Sequence, residues 1–368
     1  MFKRKIRIIK PAYISLAILL TLSLSTHAKS ENTLNAQFNK AFYTLQEAIK
    51  NKNVDAQFKY AKEAYQLGKK LYGDKDIKTA SLALILAKQY LKKKQPNQAT
   101  PLLLNTVEIF KNEYGNDAID LAEIYIILGD SIARSQKNES IDYYVEAIDI
   151  ADEHEKEHPY FNAKIQLKAG IALLREGSRK SKVILTAQTF FTEHLPKNDI
   201  RVVNANFYAG KYYLVRKRYS KAIENWQDNL AVFKSLEGVT HPLELSTHAF
   251  LINALEKAGK SDEATKHCIA IGSMTPWNDS QEQRPLFRNS PKYPIDYARK
   301  GQTGWVRIGF TISDFGTVKD PEVIASKGGG GFKKSALAAL KYWRYAPKFE
   351  DGKPVETYAT VQLDFTMH

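Results

Sequence analysis

Between Thr33 and Gly272 the chain repeats itself at a spacing of about 41 residues, and no other feature narrows its fold so far. Leu71-Tyr72-Gly73-Asp74 recurs as Glu113-Tyr114-Gly115-Asn116, and Ala80 and Ala87 match Ala122 and Gly129 one repeat later. Small residues continue at Gly170 and Gly210, where two helices must approach closely. Ala99, Ala222 and Ala264 hold an equivalent place in the second helix of their units. His158-Pro159 and His241-Pro242 each open a first helix, a place where proline gives up no intrahelical bond. A helical hairpin of this length cannot bury its apolar face alone, so such units must stack into an all-α solenoid. Six units are expected, at 33–73, 74–115, 116–157, 158–195, 198–238 and 240–272. The outer two are the least regular, as capping repeats are.

These repeats resemble the tetratricopeptide family, in the longer variety seen in kinesin light chains. The resemblance implies a groove lined by the first helix of each pair, holding a peptide or a helix of a second protein. Asn162, Lys164, Asn204, Asn206, Lys211 and His248 are the candidate groove residues; the competing reading makes them solvated positions on open helix faces. Tyr143, Tyr144, Tyr208, Tyr212 and Tyr213 are expected in packing between helices.

From Arg284 the periodicity changes from helical to alternating. Val306, Ile308, Phe310 and Ile312 alternate with Trp305, Arg307, Gly309 and Thr311, the period of a strand covered on one face. Asp314-Phe315-Gly316 is turn chemistry, so residues 317–324 should return antiparallel. Pro321 cannot donate to a ladder and puts that second strand at an edge or a bulge. Phe332, Ala336, Leu340 and Trp343 fall at helical spacing and would lay an apolar stripe on the sheet; Pro347 follows the helix end. After a second turn signal at Asp351-Gly352, Ala359, Val361, Leu363 and Phe365 alternate with Tyr358, Thr360, Gln362 and Asp364. The sum is a small α+β module, a three-stranded antiparallel sheet with one helix. The whole chain is thus expected as an all-α solenoid over 29–272, a linker over 273–283, and the α+β module over 284–368.

The run Arg288-Asn-Ser-Pro-Lys-Tyr-Pro294, the strand from Gly304, Asp314-Phe315-Gly316, Trp343-Arg344-Tyr345-Ala346-Pro347 and the closing strand resemble, in that order, the C-terminal domain of the TonB family. That resemblance implies a module that grips TonB-dependent outer-membrane receptors by adding a receptor box peptide beside its last strand. Carried onto this sequence, the partner-binding positions are Arg288, Pro291, Tyr293 and Pro294, with Tyr358, Thr360, Gln362 and Asp364 of the closing strand. It also implies a place in energy-dependent uptake of siderophores, vitamin B12 or similar solutes.

Lys3, Arg4, Lys5, Arg7 and Lys10 precede an apolar run from Ile14 to Leu24, and Thr26-His27-Ala28 places small residues before Lys29. This is the pattern of a secretory signal peptide over 1–28, cut between Ala28 and Lys29. As a helix the run spans about 17 Å, short of the ~30 Å hydrocarbon core of a bilayer. A cleaved leader implies a periplasmic protein of a Gram-negative bacterium. A retained leader implies an inner-membrane anchor on the periplasmic side, facing a proton-driven motor. Against the family pattern, the chain has no proline-rich stretch; its 13 prolines are scattered.

The formal charge is +14, and 14 Lys/Arg against 8 Asp/Glu lie from Arg284 onward. In an exported protein such a module suits acidic peptides, anionic lipid or peptidoglycan rather than nucleic acid. An envelope scaffold on peptidoglycan is a third reading of the function. The lone Cys268 excludes an internal disulfide framework and reads as a buried thiol. Gly328 to Ser335 lacks phosphate-loop spacing, and His154 with His158 lacks the His-Glu-x-x-His metal pattern. No nucleophile sits beside a base. No catalytic residue, metal or cofactor is expected.

Overall fold

The computed structural model describes residues 29–235, 242–274 and 283–367. The leader through Ala28, His241 and most of the 273–283 linker lie outside those residues. Backbone contacts divide the chain at Phe191/Thr192 into two compact units.

The first unit holds helical hairpins in sequence: α1 (Lys29–Lys50) with α2 (Val54–Tyr72), α3 (Ile77–Lys92) with α4 (Pro96–Tyr114), and α5 (Ile119–Ile132) with α6 (Lys137–Glu153). Next come α7 (Pro159–Arg175), a 3-10 turn (Arg179–Lys182) and α8 (Val183–His194), whose last residues cross the division. The recurrent Tyr-Gly step of the sequence is a helix stop. Gly73 and Gly115 take φ of 88° and 98°, and their N–H groups bond back to Lys69 and Lys111. Asn53 and Asp76 open α2 and α3 by accepting from the N–H groups of Ala56 and Lys78. The core stacks Leu84, Leu103, Leu121, Ile124, Leu128, Tyr144 and Ile165 from successive hairpins.

In the second unit α9 (Ile200–Val215) pairs with α10 (Tyr219–Lys234), and α11 (Pro242–Lys257) with α12 (Ser261–Met274). The small residues of the repeat face large side chains of the next helix. A Cβ on Gly129 would stand 2.5 Å from the Tyr144 ring, and one on Gly210 would stand 2.5 Å from the indole of Trp226. Glycine lets each ring lie on the facing backbone, and Trp226 then donates its indole N–H to the Phe207 carbonyl oxygen at 3.1 Å.

After α12 comes the C-terminal module: α13 (Ile295–Arg299), β1 (Gly304–Ile312), β2 (Val318–Lys327), α14 (Gly330–Leu340), β3 (Lys348–Glu350), β4 (Lys353–Val355) and β5 (Thr357–Phe365). The antiparallel sheet runs β2-β1-β5. Val306, Ile308, Phe310 and Ile312 are buried as their alternation demands, against Phe332, Ala336 and Leu340 of α14. Pro321 lies on the edge strand β2, whose pairing slips twice, between Arg307 and Ile308 and between Gly309 and Thr311.

Two details depart from the sequence expectation. Helix α14 stops at Leu340, so Trp343 is not its last stripe residue. Trp343 is buried in an extended stretch where its indole N–H donates to the Asn289 carbonyl oxygen at 2.9 Å, while Arg344 bridges to Phe287 and Thr317. Asp351-Gly352, with φ of 50° and 75°, closes a two-residue hairpin, so β3 and β4 form a ribbon beyond the three-stranded sheet.

The module is anchored on α11 and α12 within its own unit. Phe287 joins the core made by Phe207, Trp226, Leu251, Leu255, Cys268 and Ile271. Arg344 Nε lies 2.6 Å from Glu256 Oε1, an ion pair with side chains only 10% and 4% exposed. Gly272 lies under Pro347, and Gly316 beside Cys268. Burial, with the Glu256 charge, pushes the Cys268 thiol up to about 12 despite the opposing pull of Arg344, which makes it a packing group.

Candidate functional site

The closing strand β5 has one paired side and one unpaired side. Nine residues pair with β1 without a slip, from Gly304 opposite Phe365 to Ile312 opposite Thr357. Since β5 ends the sheet, alternate N–H and C=O groups along it point away from β1, and among the described residues no strand meets them. Phe365 is buried and Ala359, Val361 and Leu363 are half-buried toward α14, which fixes the register. Tyr358, Thr360, Gln362 and Asp364 stand exposed on the opposite face. There Gln362 accepts from Arg307 at 3.1 Å and donates to Asp364 at 3.0 Å, and Tyr358 lies over Gly309, where β1 has no side chain. The Lys319–Glu356 ion pair joins β2 to the residue just before β5.

The other expected partner-binding residues come from the segment before β1. The segment carrying Arg288, Pro291, Tyr293 and Pro294 straps α14 and touches the end of β5 through Tyr293. Ser335 donates to the Lys292 carbonyl oxygen, and the Tyr293 ring packs edge-on against Phe332 and Phe365. Its hydroxyl donates to the Gln302 carbonyl oxygen at 2.5 Å. Tyr293 is thus a packing residue, Pro294 caps α13, and Arg288 is exposed. The strap and α14 border a cleft of about 830 Å³ lined by Lys292, Ile295, Lys334, Ala338 and Tyr342.

The expected groove residues divide likewise. Asn162 is buried and donates to Asp152 at 3.0 Å, and Asn206 is buried too, so neither offers recognition surface. Asn204 is half-buried. Lys164 is exposed on α7 and pairs with Glu123 of α5 at 2.5 Å. Lys211 lies 5.2 Å from the ring centres of both Tyr208 and Phe250, and burial lowers its pKa. His248 is buried with its Nδ1 2.8 Å from Nδ1 of His267, so one ring donates and the other accepts. The sequence carries no warning of that pair, which α11 and α12 assemble 19 residues apart. The Glu256–Arg344 pair escaped for a similar reason: its halves come from the last hairpin and the module.

Residues 289–367 match the family model described as the Gram-negative bacterial TonB protein C-terminal. Protein TonB of Pseudomonas aeruginosa is 33% identical over 88 residues, which is 24% of this chain. The chain spans about a quarter of that relative's length. The solution structure of the P. aeruginosa TonB C-terminal domain is 31% identical, covering 25% of this chain and 93% of that one, with a TM-score of 0.22. BtubC (BKLC) from P. vanneervenii is 18% identical, covering 70% of this chain and 99% of that one, with a TM-score of 0.47. Residues 289–367 are a TonB C-terminal domain, carried in one chain behind an array of helical hairpins.

Proposed function

We propose that the C-terminal domain captures an extended segment of a TonB-dependent outer-membrane receptor as a fourth strand beside β5, while the helical array recruits a second protein. The chain then acts as a periplasmic accessory in energy-dependent transport across the outer membrane. The observation that carries this reading is the contrast between the two sheet edges. β2 is interrupted by Pro321 and two slips, whereas β5 offers nine residues in regular register. A peptide added there takes affinity from main-chain bonds and specificity from alternate side chains. The TonB C-terminal family match supports the choice of partner.

The test is amide hydrogen exchange of the full chain with and without a receptor box peptide. The expected result is added protection at alternate amides of 357–365 and none in 318–327. Protection confined to β2, or none at all, overturns the reading. Location rests on the leader, outside the described residues; among those residues no helix is long and apolar enough to cross a membrane. N-terminal sequencing of protein from envelope fractions separates the two placements. A first residue of Lys29 supports the accessory role, and Met1 retained in the membrane fraction makes the chain an anchored transducer.

A further inference from the structure

The cations of the C-terminal domain divide by side. Several near the sheet have partners: Lys319 with Glu356, Lys348 with Glu350, Arg344 with Glu256, and Arg307 with the Gln362 side chain. On the strap, α13 and α14 the situation is the reverse. Lys292, Arg299, Lys300, Lys333, Lys334 and Lys341 are all exposed, and among the described residues none makes an ion pair or a side-chain hydrogen bond. Over 288–300 and 330–342 a single acid, Asp296, stands against seven Lys/Arg. The domain's other acids lie between Asp314 and Glu322 and from Glu350 onward, on the strands and their turns.

Large apolar side chains protrude from the same place. Ile295, the first residue of α13, is 69% exposed, and Tyr342, just past α14, is 58% exposed. Both line the cleft beside the strap, together with Lys292, Lys334 and Ala338. Lys334, Ala338 and Lys341 follow one another at helical spacing, so cations and apolar ground share the outer face of α14. Its inner face, with Phe332, Ala336 and Leu340, is committed to the sheet. Whatever covers the outer face must be anionic and must also take in an isoleucine and a tyrosine. A second copy meeting it face to face would set lysine against lysine. A bound peptide would need cations at a fixed spacing or a free backbone edge, and the backbone of α14 is bonded within the helix. An anionic bilayer needs neither, because its charge is continuous over a plane and every dispersed cation counts. Lysine stems can lie along apolar ground with their ammonium groups among headgroups, and tyrosine suits that depth.

We propose that the α14 face of the C-terminal domain docks on an anionic lipid surface. Lys292, Lys334 and Lys341 meet the phosphates, and Ile295 and Tyr342 enter the boundary between headgroups and acyl chains. Tyr358, Thr360, Gln362 and Asp364 of β5 lie on the opposite side of the sheet from α14, so docking leaves them in water. The proposal does not depend on which peptide, if any, pairs with β5.

The test is flotation of the chain with vesicles of phosphatidylglycerol and phosphatidylcholine, and with vesicles of phosphatidylcholine alone. The chain is taken from Lys29 onward, which keeps every described element and removes the basic, apolar leader as a rival lipid binder. Binding to the anionic vesicles is expected to be about tenfold tighter and to fall with added salt. Lys334→Gln with Lys341→Gln should weaken it about tenfold. Lys319→Gln with Lys353→Gln removes the same charge from β2 and β4 and should leave it unchanged. Ile295→Ser should weaken it about threefold. All of these side chains are exposed, so the fold is not at stake. Tyr342→Trp reads the orientation: its added emission should be quenched by brominated acyl chains. Equal binding to the two kinds of vesicle, equal loss from the two lysine pairs, or no quenching overturns the proposal. Binding of polyglutamate through Lys334 and Lys341 without binding of vesicles also overturns it and makes the face a peptide site. Sedimentation with peptidoglycan but not with vesicles overturns it in favour of the cell wall.

Discussion

In the helical array the backbone is satisfied within each helix, whereas the outer side of β5 in the C-terminal domain has no partner strand among the described residues. Any partner of the array would therefore have to be met through side chains, such as the exposed Lys164 and Lys168 that pair with Glu123. The domain can recognise through main-chain groups that every peptide carries. On the reading proposed above, binding at the array would be salt-sensitive and binding at the sheet edge salt-tolerant. Their construction differs in the same sense. The array reuses one device, a small residue under a ring, at Gly129 and Gly210. The domain has a single core in which Phe332 stacks on Phe365 at 4.5 Å.

The strongest attack on this division is at a buried ion pair between the last hairpin and the module, Glu256 with Arg344. Glu256→Ala leaves Arg344 charged and buried, and should lower stability by about 3–5 kcal/mol in denaturant unfolding. Recovery of most of that loss by adding Arg344→Met would show that the cost is the orphaned charge. A loss under 1 kcal/mol would mean that the two parts are held together by other contacts. Gly210→Ala tests the array alone. Its new Cβ meets Trp226 at 2.5 Å, so a loss of about 1–3 kcal/mol is expected, with β5 peptide affinity unchanged.

Prolines at Thr360 and Val361, made one at a time, test the domain. Donors of neighbouring residues in β5 point to opposite sides, so one variant removes an outward N–H and the other an inward one. The outward variant should weaken box-peptide binding about tenfold, some 1.4 kcal/mol, while the inward variant acts mainly on the stability of the β1–β5 pairing. Equal loss of peptide binding in both variants would erase the distinction.

The remaining effect expected is on pH dependence. His248 and His267 are both lowered from 6.5 to about 4, chiefly by burial. Lys234 of α10 lowers both, His248 and Lys266 lower His267 further, and Glu263 opposes at His267. The unfolded chain takes up protons below 6.5 that the folded pair refuses until about 4. Their contribution is therefore full above 6.5 and lost as pH falls toward 4, at about 1.4 kcal/mol per pH unit for each proton. Asp120 acts in the opposite sense, since its raised pKa makes the fold gain stability as pH falls from about 6. Melting curves of the parent and a His248→Gln/His267→Gln variant between pH 7.5 and 5 isolate the pair. Parallel curves would remove the histidines from the account.

Much of this architecture was legible because it depends on near neighbours in sequence. The Tyr-Gly stops, the β1 and β5 alternation, the turn glycines and the Pro321 edge all act within a few residues. What escaped depends on helices brought together from different repeats. Asn162 looked like an exposed polar residue until α6 placed Asp152 against it. Lys164 could be named from its repeat position, but its company could not. Glu123 lies on another hairpin, and the pair forms only once the two first helices are in register. A usable signal was present in Glu123 and Lys164, opposite charges one repeat apart. Trp343 kept the helical spacing yet left the helix, because its indole N–H found Asn289 in the strap.

The side-by-side pairing of β5 with β1 also decides how the domain would carry tension. A pull along the strand axis loads nine residue pairs in parallel and must shear them together, while a pull across the sheet peels them one at a time. A peptide held as the next strand would inherit that anisotropy, gripping firmly along its own length and letting go when lifted from one end.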